Sequence, residues 1–175
     1  MQGVIMEKLK EYGKSILIAL ILSLGIRVAI VEAYHVPTGS MIPTVMENDR
    51  VMSNKFIYHF VDPKPGDIVV FTPSPNIHTD APRLLKRLIG LEGDWIEVKN
   101  GIVYRNGTPL AEPYINQTPD YTLPPVRVPE GYVFVLGDNR RNSYDSHIWG
   151  FLPKKNIFAK AMFCYWPLTR MGPVR

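Results

Sequence analysis

Residues 95–104 read WIEVKNGIVY, and this stretch decides the fold class. Trp95 to Lys99 alternates apolar and polar side chains, the period of a half-buried strand. Asn100-Gly101 follows, then Ile102-Val103-Tyr104. Asn and Gly both accept the positive φ that a two-residue hairpin turn needs, so the pair predicts an antiparallel hairpin. Asn106-Gly107 marks a further turn. Upstream, Gly66-Asp67 opens Ile68 to Phe71, a β-branched and aromatic run ended by Pro73. Downstream, Pro129-Glu130-Gly131 opens Tyr132 to Leu136, apolar throughout, as a strand buried on both faces should be. Residues 112–129 are rich in Pro, Thr and Tyr and read as an irregular excursion. Turns at such short spacing point to an antiparallel sheet or partly closed barrel, not to βαβ units.

Composition agrees. With 175 residues, 46% of them hydrophobic, the chain suits one domain with a real core and room for a small β insertion near 95–130. Gly 13 and Pro 16 are high for a helical bundle. Cys164 is the one cysteine, which rules out an intrachain disulfide and a cysteine-based zinc site. His35, His59, His78 and His147 show no ligand spacing, so no metal or other cofactor is expected. A formal net charge of +4 with scattered Lys and Arg suits an anionic membrane surface and gives no footprint for nucleic acid.

The N-terminus is different. Ile16 to Ile26 is densely apolar, and Val28 to Val31 resumes the run after Arg27. From Tyr12 to Val31 the segment reaches the roughly 20 residues that a spanning helix needs. Lys8, Lys10 and Lys14 precede it, and the next cation after Arg27 is Arg50. The charge bias predicts a cytoplasmic N-terminus (1–14), an anchor (15–33) and an extracytoplasmic body (34–175). A cleavable secretory signal ending near Val31-Glu32-Ala33 competes with this, as does a buried core helix.

Three segments carry candidate chemistry. In Pro37 to Thr44, Gly39 allows a tight backbone before Ser40, while Pro37 and Pro43 fix φ on either side. Such a loop projects a hydroxyl, but ordinary Pro/Gly/Ser turns look the same. In Arg83 to Gly90, an extended chain puts Leu84, Lys86 and Leu88 on one face and Arg83, Leu85, Arg87 and Ile89 on the other. A lysine buried between leucines loses the ammonium form more easily, which a Ser-Lys protease requires of its base. A snorkelling edge-strand lysine is the alternative. In Gly137 to His147, Ser143, Asp145 and His147 share a face if the chain is extended. A polar surface turn would have the same composition.

Taken together, in this order behind the apolar segment, TGSMIPT (38–44), GDIVVF (66–71), KRLIGLEGD (86–94) and GDNRRNSYDS (137–146) resemble the bacterial type I signal peptidase family. The likeness runs from the anchor to about Pro167. It implies a membrane-bound serine endopeptidase that cuts signal peptides from exported preproteins after small residues, with the bilayer and the preprotein as partners. It further implies location in the bacterial cell (inner) membrane. By the same resemblance Ser40 is the nucleophile and Lys86 the general base. Thr38 takes the place of a serine that joins the Ser40 N–H in the oxyanion hole. Ser143 orients the lysine, Asp145 stands behind it, and Asp138, Asn139 and Arg140 form a supporting loop. Tyr34, Val36, Leu84 and Leu85 are candidate walls of shallow apolar pockets. His147 replaces a usual arginine, which would weaken or alter a salt bridge to Asp145, and Glu92 replaces a usual proline.

Rival readings are a cytosolic self-cleaving Ser-Lys regulator, a Ser-His-Asp triad with His147 as base, and an exported, membrane-anchored β-domain that binds without catalysis. The apolar anchor speaks against the first of these, and the grouping of Ser40, Lys86 and Ser143 against the last.

Overall fold

The structure is a computed structural model that describes residues 12–20, 23, 25 and 31–175. The hairpin forms as its sequence dictates. β5 (Trp95–Lys99) and β6 (Ile102–Arg105) pair antiparallel with Val98 opposite Val103. Asn100 and Gly101 have φ of 51° and 75°, the mirror-image turn that matches strand twist. Asn106 (53°) and Gly107 (76°) turn the chain into β7 (Thr108–Pro109). The excursion is not wholly irregular, because Leu123–Arg127 is a strand, β8, on the edge of this sheet. Its pairing with β5 jumps from Ile96↔Val126 to Val98↔Leu123. Pro124 and Pro125 fall inside that irregularity, where a missing N–H costs the ladder nothing.

A larger sheet carries the rest. Its strands are β1 (Val31–His35), β2 (Arg50–Asn54), β3 (Ile68–Phe71), β4 (Leu84–Gly90), β9 (Tyr132–Leu136), β10 (Leu152–Pro153), β11 (Ile157–Trp166) and β12 (Gly172–Pro173). They run in the order β1-β2-β11-β3-β4-β9-β10, with β12 on β11, and every pair is antiparallel. The path is open, with β1 and β10 at its ends, so hydrogen bonding does not close a barrel. β11 bridges β2 and β3 with bulges near Ala161 and Cys164, which bend the sheet.

β4 is buried from Leu85 to Gly90, Arg87 included, so both of its faces are covered. Ile89 of β4 and Phe134 and Leu136 of β9 share one core with Ile96, Val98 and Val103 of the small sheet. Leu85, on the same face, packs with Val36, Met41, Val45 and Val51, and Leu88, on the opposite face, packs with Val69, Phe71, Val133 and Val135. The small sheet is therefore packed onto the two strands that lead to the candidate chemistry. Removing one such buried side chain costs about 2–5 kcal/mol.

At the N-terminus residues 12–20, 23 and 25 are helical. Among the described residues no helix is long and apolar enough to cross a membrane. Residues 21, 22, 24 and 26–30 of the expected anchor lie outside the described residues. Its last three residues, 31–33, belong to β1 and pair with Asn54, Ser53 and Met52, so any helix ends before Val31.

Candidate active site

Ser40 lies in a one-turn 3-10 segment, Gly39–Met41. Met41 is fully buried in the core and pins the turn from below, leaving Ser40 half-exposed beside it. Thr38 precedes the turn in extended conformation, and its hydroxyl does not cap the turn. That hydroxyl lies 3.4 Å from Ser40 Oγ instead.

From the other side comes Lys86, paired across the sheet with Val69 of β3 and only 3% exposed. Its Nζ donates to Ser40 Oγ at 2.5 Å. Burial pulls its pKa down from 10.5 to about 8, against the pull of the Asp145 and Asp138 carboxylates, which favour the charged form. A hydroxyl and an amine that is readily neutral are thus in direct contact, the arrangement that Ser-Lys nucleophilic catalysis needs.

The 137–147 loop leaves β9 and holds the Ser40 turn directly and, through Arg87, the strand that carries Lys86. Asn139 N–H donates to the Ser40 carbonyl (3.1 Å) and Asn139 Nδ2 to the Gly39 carbonyl (2.9 Å). A Cβ on Gly137 would lie 2.4 Å from the Ser40 carbonyl oxygen and 2.2 Å from Ser143 Oγ, so only glycine permits this approach. Asp138 accepts from Arg87 Nε (2.8 Å), Arg87 Nη2 (2.7 Å) and Thr44 Oγ1 (2.5 Å). Arg87 and Asp138 are buried, and this ion pair ties β4 to the loop and to the segment just after Ser40. Arg140, fully buried, donates to the Gly137 carbonyl (2.9 Å) and pairs with Glu112.

Two expectations are corrected. The chain does not stay extended to His147: Asp145 caps a short helix, Ser146–Trp149, by accepting from His147 N–H. Its other oxygen accepts from Gly137 N–H (2.9 Å), so it braces the loop rather than Ser143. Ser143 Oγ is buried without a hydrogen-bond partner among the described residues, and its expected bond to Lys86 is not formed. The contact of His147 with Asp145 is close, 2.7 Å from Nδ1 to Oδ1, and the ring stacks on Tyr121 at 3.9 Å. Held there, His147 does not line the cleft that contains Ser40 and Lys86, which speaks against the triad reading.

That cleft encloses about 350 Å³. Of the four pocket candidates, Leu84 lines it; Val36 and Leu85 are buried in the core below, with half-buried Tyr34 packed against them. Glu47, His78, Thr79, Asn142 and Tyr144 also line it and were not anticipated. Nor were Glu112, Tyr114 and Tyr121. Arg87 stacks over Tyr114 at 3.7 Å, so the excursion supports the loop from outside. No local pattern announces such contacts. Glu92, the other departure, accepts from Gly131 N–H (2.9 Å) and secures the turn into β9. Among the described residues no group of His, Cys, Asp or Glu is placed to hold a metal ion.

The model of the signal peptidase, peptidase S26 family matches residues 9–166. The chain belongs to this family. A signal peptidase I from Leptolyngbya laminosa is 45% identical, over 96% of this chain and 83% of that protein. Thylakoidal processing peptidase 1 from Arabidopsis thaliana is 38% identical over 93% of this chain and 50% of its own. The crystal structure of a signal peptidase I from Enterococcus faecalis is similar with a TM-score of 0.50 and 33% identity, covering 57% of this chain and 97% of that one. Family membership and the mainly antiparallel β architecture thus agree, and the chain is a serine endopeptidase of the signal-peptide-processing kind.

Proposed function

We propose that this chain removes signal peptides from exported preproteins with Ser40 as nucleophile and Lys86 as general base. The observation that carries the assignment is the 2.5 Å contact between a buried lysine and the serine hydroxyl. Neutral Lys86 takes the Ser40 proton while Oγ attacks the scissile carbonyl. The oxyanion is met by the Thr38 hydroxyl and the Ser40 N–H. The ammonium then protonates the leaving amine, and water, deprotonated by the same lysine, hydrolyses the acyl ester. Asp138, Asn139 and Arg140 hold Ser40 and the loop in register, Asp145 braces the loop, and Ser143 packs beside Gly137. Substrates end their signal peptides in small residues, and Leu84 offers them one apolar wall of the cleft.

The body from 34 onward works on the extracytoplasmic side, with 15–30 in the bilayer and 1–14 in the cytoplasm. Support comes from the exposed helix, where Ile16, Leu17, Ile18 and Leu20 are 57–61% exposed with no protein core to cover them. An anchor holds enzyme and substrate in one plane and raises their effective concentration. The membrane is that of a bacterial cell; the similarity to a thylakoidal enzyme supports a thylakoid membrane as the second reading.

The test is cleavage of a preprotein with an Ala-x-Ala site, in detergent, by wild type, Ser40→Ala and Lys86→Ala. Wild type cuts at the site, and each variant loses at least about 1,000-fold in kcat while keeping its fold. Robust cleavage by Lys86→Ala would overturn the base assignment.

A further inference from the structure

The turn between the Ser40 segment and β2 carries two carboxylates, Glu47 and Asp49, and the fold treats them differently. Asp49, 1% exposed, accepts from Met46 N–H (2.8 Å) and pairs with Arg170. Asn48, at φ 68°, donates its N–H to the Val36 carbonyl (2.8 Å). These bonds fix the backbone on both sides of Glu47 and leave its side chain outside. Glu47 is exposed and lines the catalytic cleft. Its Oε1 lies 3.0 Å from where a Cβ would stand on Gly39, the residue before the nucleophile.

Among the described residues nothing employs this carboxylate. It takes part in no ion pair among the described residues. The carboxylates that act on Lys86 are Asp145 and Asp138. A negative charge near the oxyanion hole also opposes the transition state, so Glu47 gives the reaction itself no help. What remains is the substrate. The backbone of the turn is fixed, the Glu47 side chain is exposed, and Glu47 and Gly39 both line the cleft that a substrate must enter to reach Ser40.

Building on the peptidase reading, we propose that Glu47 is a specificity-determining residue that favours preproteins carrying a Lys or Arg side chain close to the scissile bond. An exposed pair of this kind changes rates modestly, by about two- to five-fold, and less at high salt.

The experiment uses the full chain in detergent and a parent preprotein with an Ala-x-Ala site. Lys, Gln or Glu is placed in turn at each flanking position that tolerates a large side chain. The readout is kcat/KM for wild type, Glu47→Gln and Glu47→Lys, with thermal melts to verify folding. At one or more positions wild type should prefer Lys over Gln by about two- to five-fold. Glu47→Gln should erase the preference, and Glu47→Lys should invert it in favour of Glu. Identical ratios in all three proteins would overturn the proposal while leaving the peptidase reading intact. Failure of wild type to cut the parent would overturn that reading, and this one with it.

Discussion

At the scale of single residues, the chemistry turns on the balance at Lys86. Burial disfavours its ammonium, and Asp145 and Asp138 partly restore it, leaving a pKa of about 8. A base acts only when deprotonated, so the neutral fraction grows as pH rises through that value. Two units below, it is about one hundredth. We expect kcat/KM for preprotein cleavage to climb about tenfold per pH unit below 8 and then level off. A profile flat from pH 6 to 9 would contradict a lysine base. Gly137 is a second residue with a sharp consequence. An added methyl would meet a backbone oxygen at 2.4 Å, and backbone cannot rotate away as a side chain can. Gly137→Ala should push the loop off the Ser40 carbonyl, lowering kcat by at least about tenfold and destabilising the fold by about 1–3 kcal/mol. A melt and a cleavage assay on the same preparation would test both effects.

At the scale of elements, β4 and the loop after β9 act as one unit. The Arg87–Asp138 pair is their link, at 2.7 Å with both side chains at most 3% exposed. A pair of this kind adds little over an apolar replacement of both partners, whereas removing one partner strands the other charge. Asp138→Ala should therefore cost about 3–5 kcal/mol, seen as a lower urea midpoint. A change below 1 kcal/mol would mean that Arg87 finds water or another acceptor. The Tyr114 ring over Arg87 and the Tyr121 ring on His147 come from the 112–122 excursion. The small insertion thus stiffens the catalytic loop from outside.

For the whole molecule, the two sheets share one core through Ile89, Phe134 and Leu136, and the described apolar side chains of the N-terminal helix, Ile16, Leu17, Ile18 and Leu20, are exposed. None of the helix's described residues belongs to that core, so removal of the segment before residue 31 should leave folding intact. A chain starting at residue 31 should keep a cooperative melt within a few degrees of the full chain. It should also lose co-sedimentation with lipid vesicles and cleave membrane-bound preproteins more slowly. Retained sedimentation would place membrane affinity on the sheet surface instead.

Local signals settled what is local. Asn-Gly turns, alternating strands and the Pro-Gly frame around Ser40 were legible because backbone sterics and side-chain period act within a few residues. β11 carries no such local signal, because Ile157 to Trp166 mixes Lys, Cys and aromatic residues and is extended only by pairing with β2 and β3. Ser40 and Lys86 were named from motif resemblance, but no spacing tells that residues 46 apart touch at 2.5 Å. The burial of Arg87, the Gly137 N–H bond to Asp145, the unbonded Ser143, and the entry of Glu47 into the cleft were decided by tertiary structure alone. Each depends on which surface packs over a strand or turn, and that is set by contacts distant in sequence, whose energies no local pattern encodes.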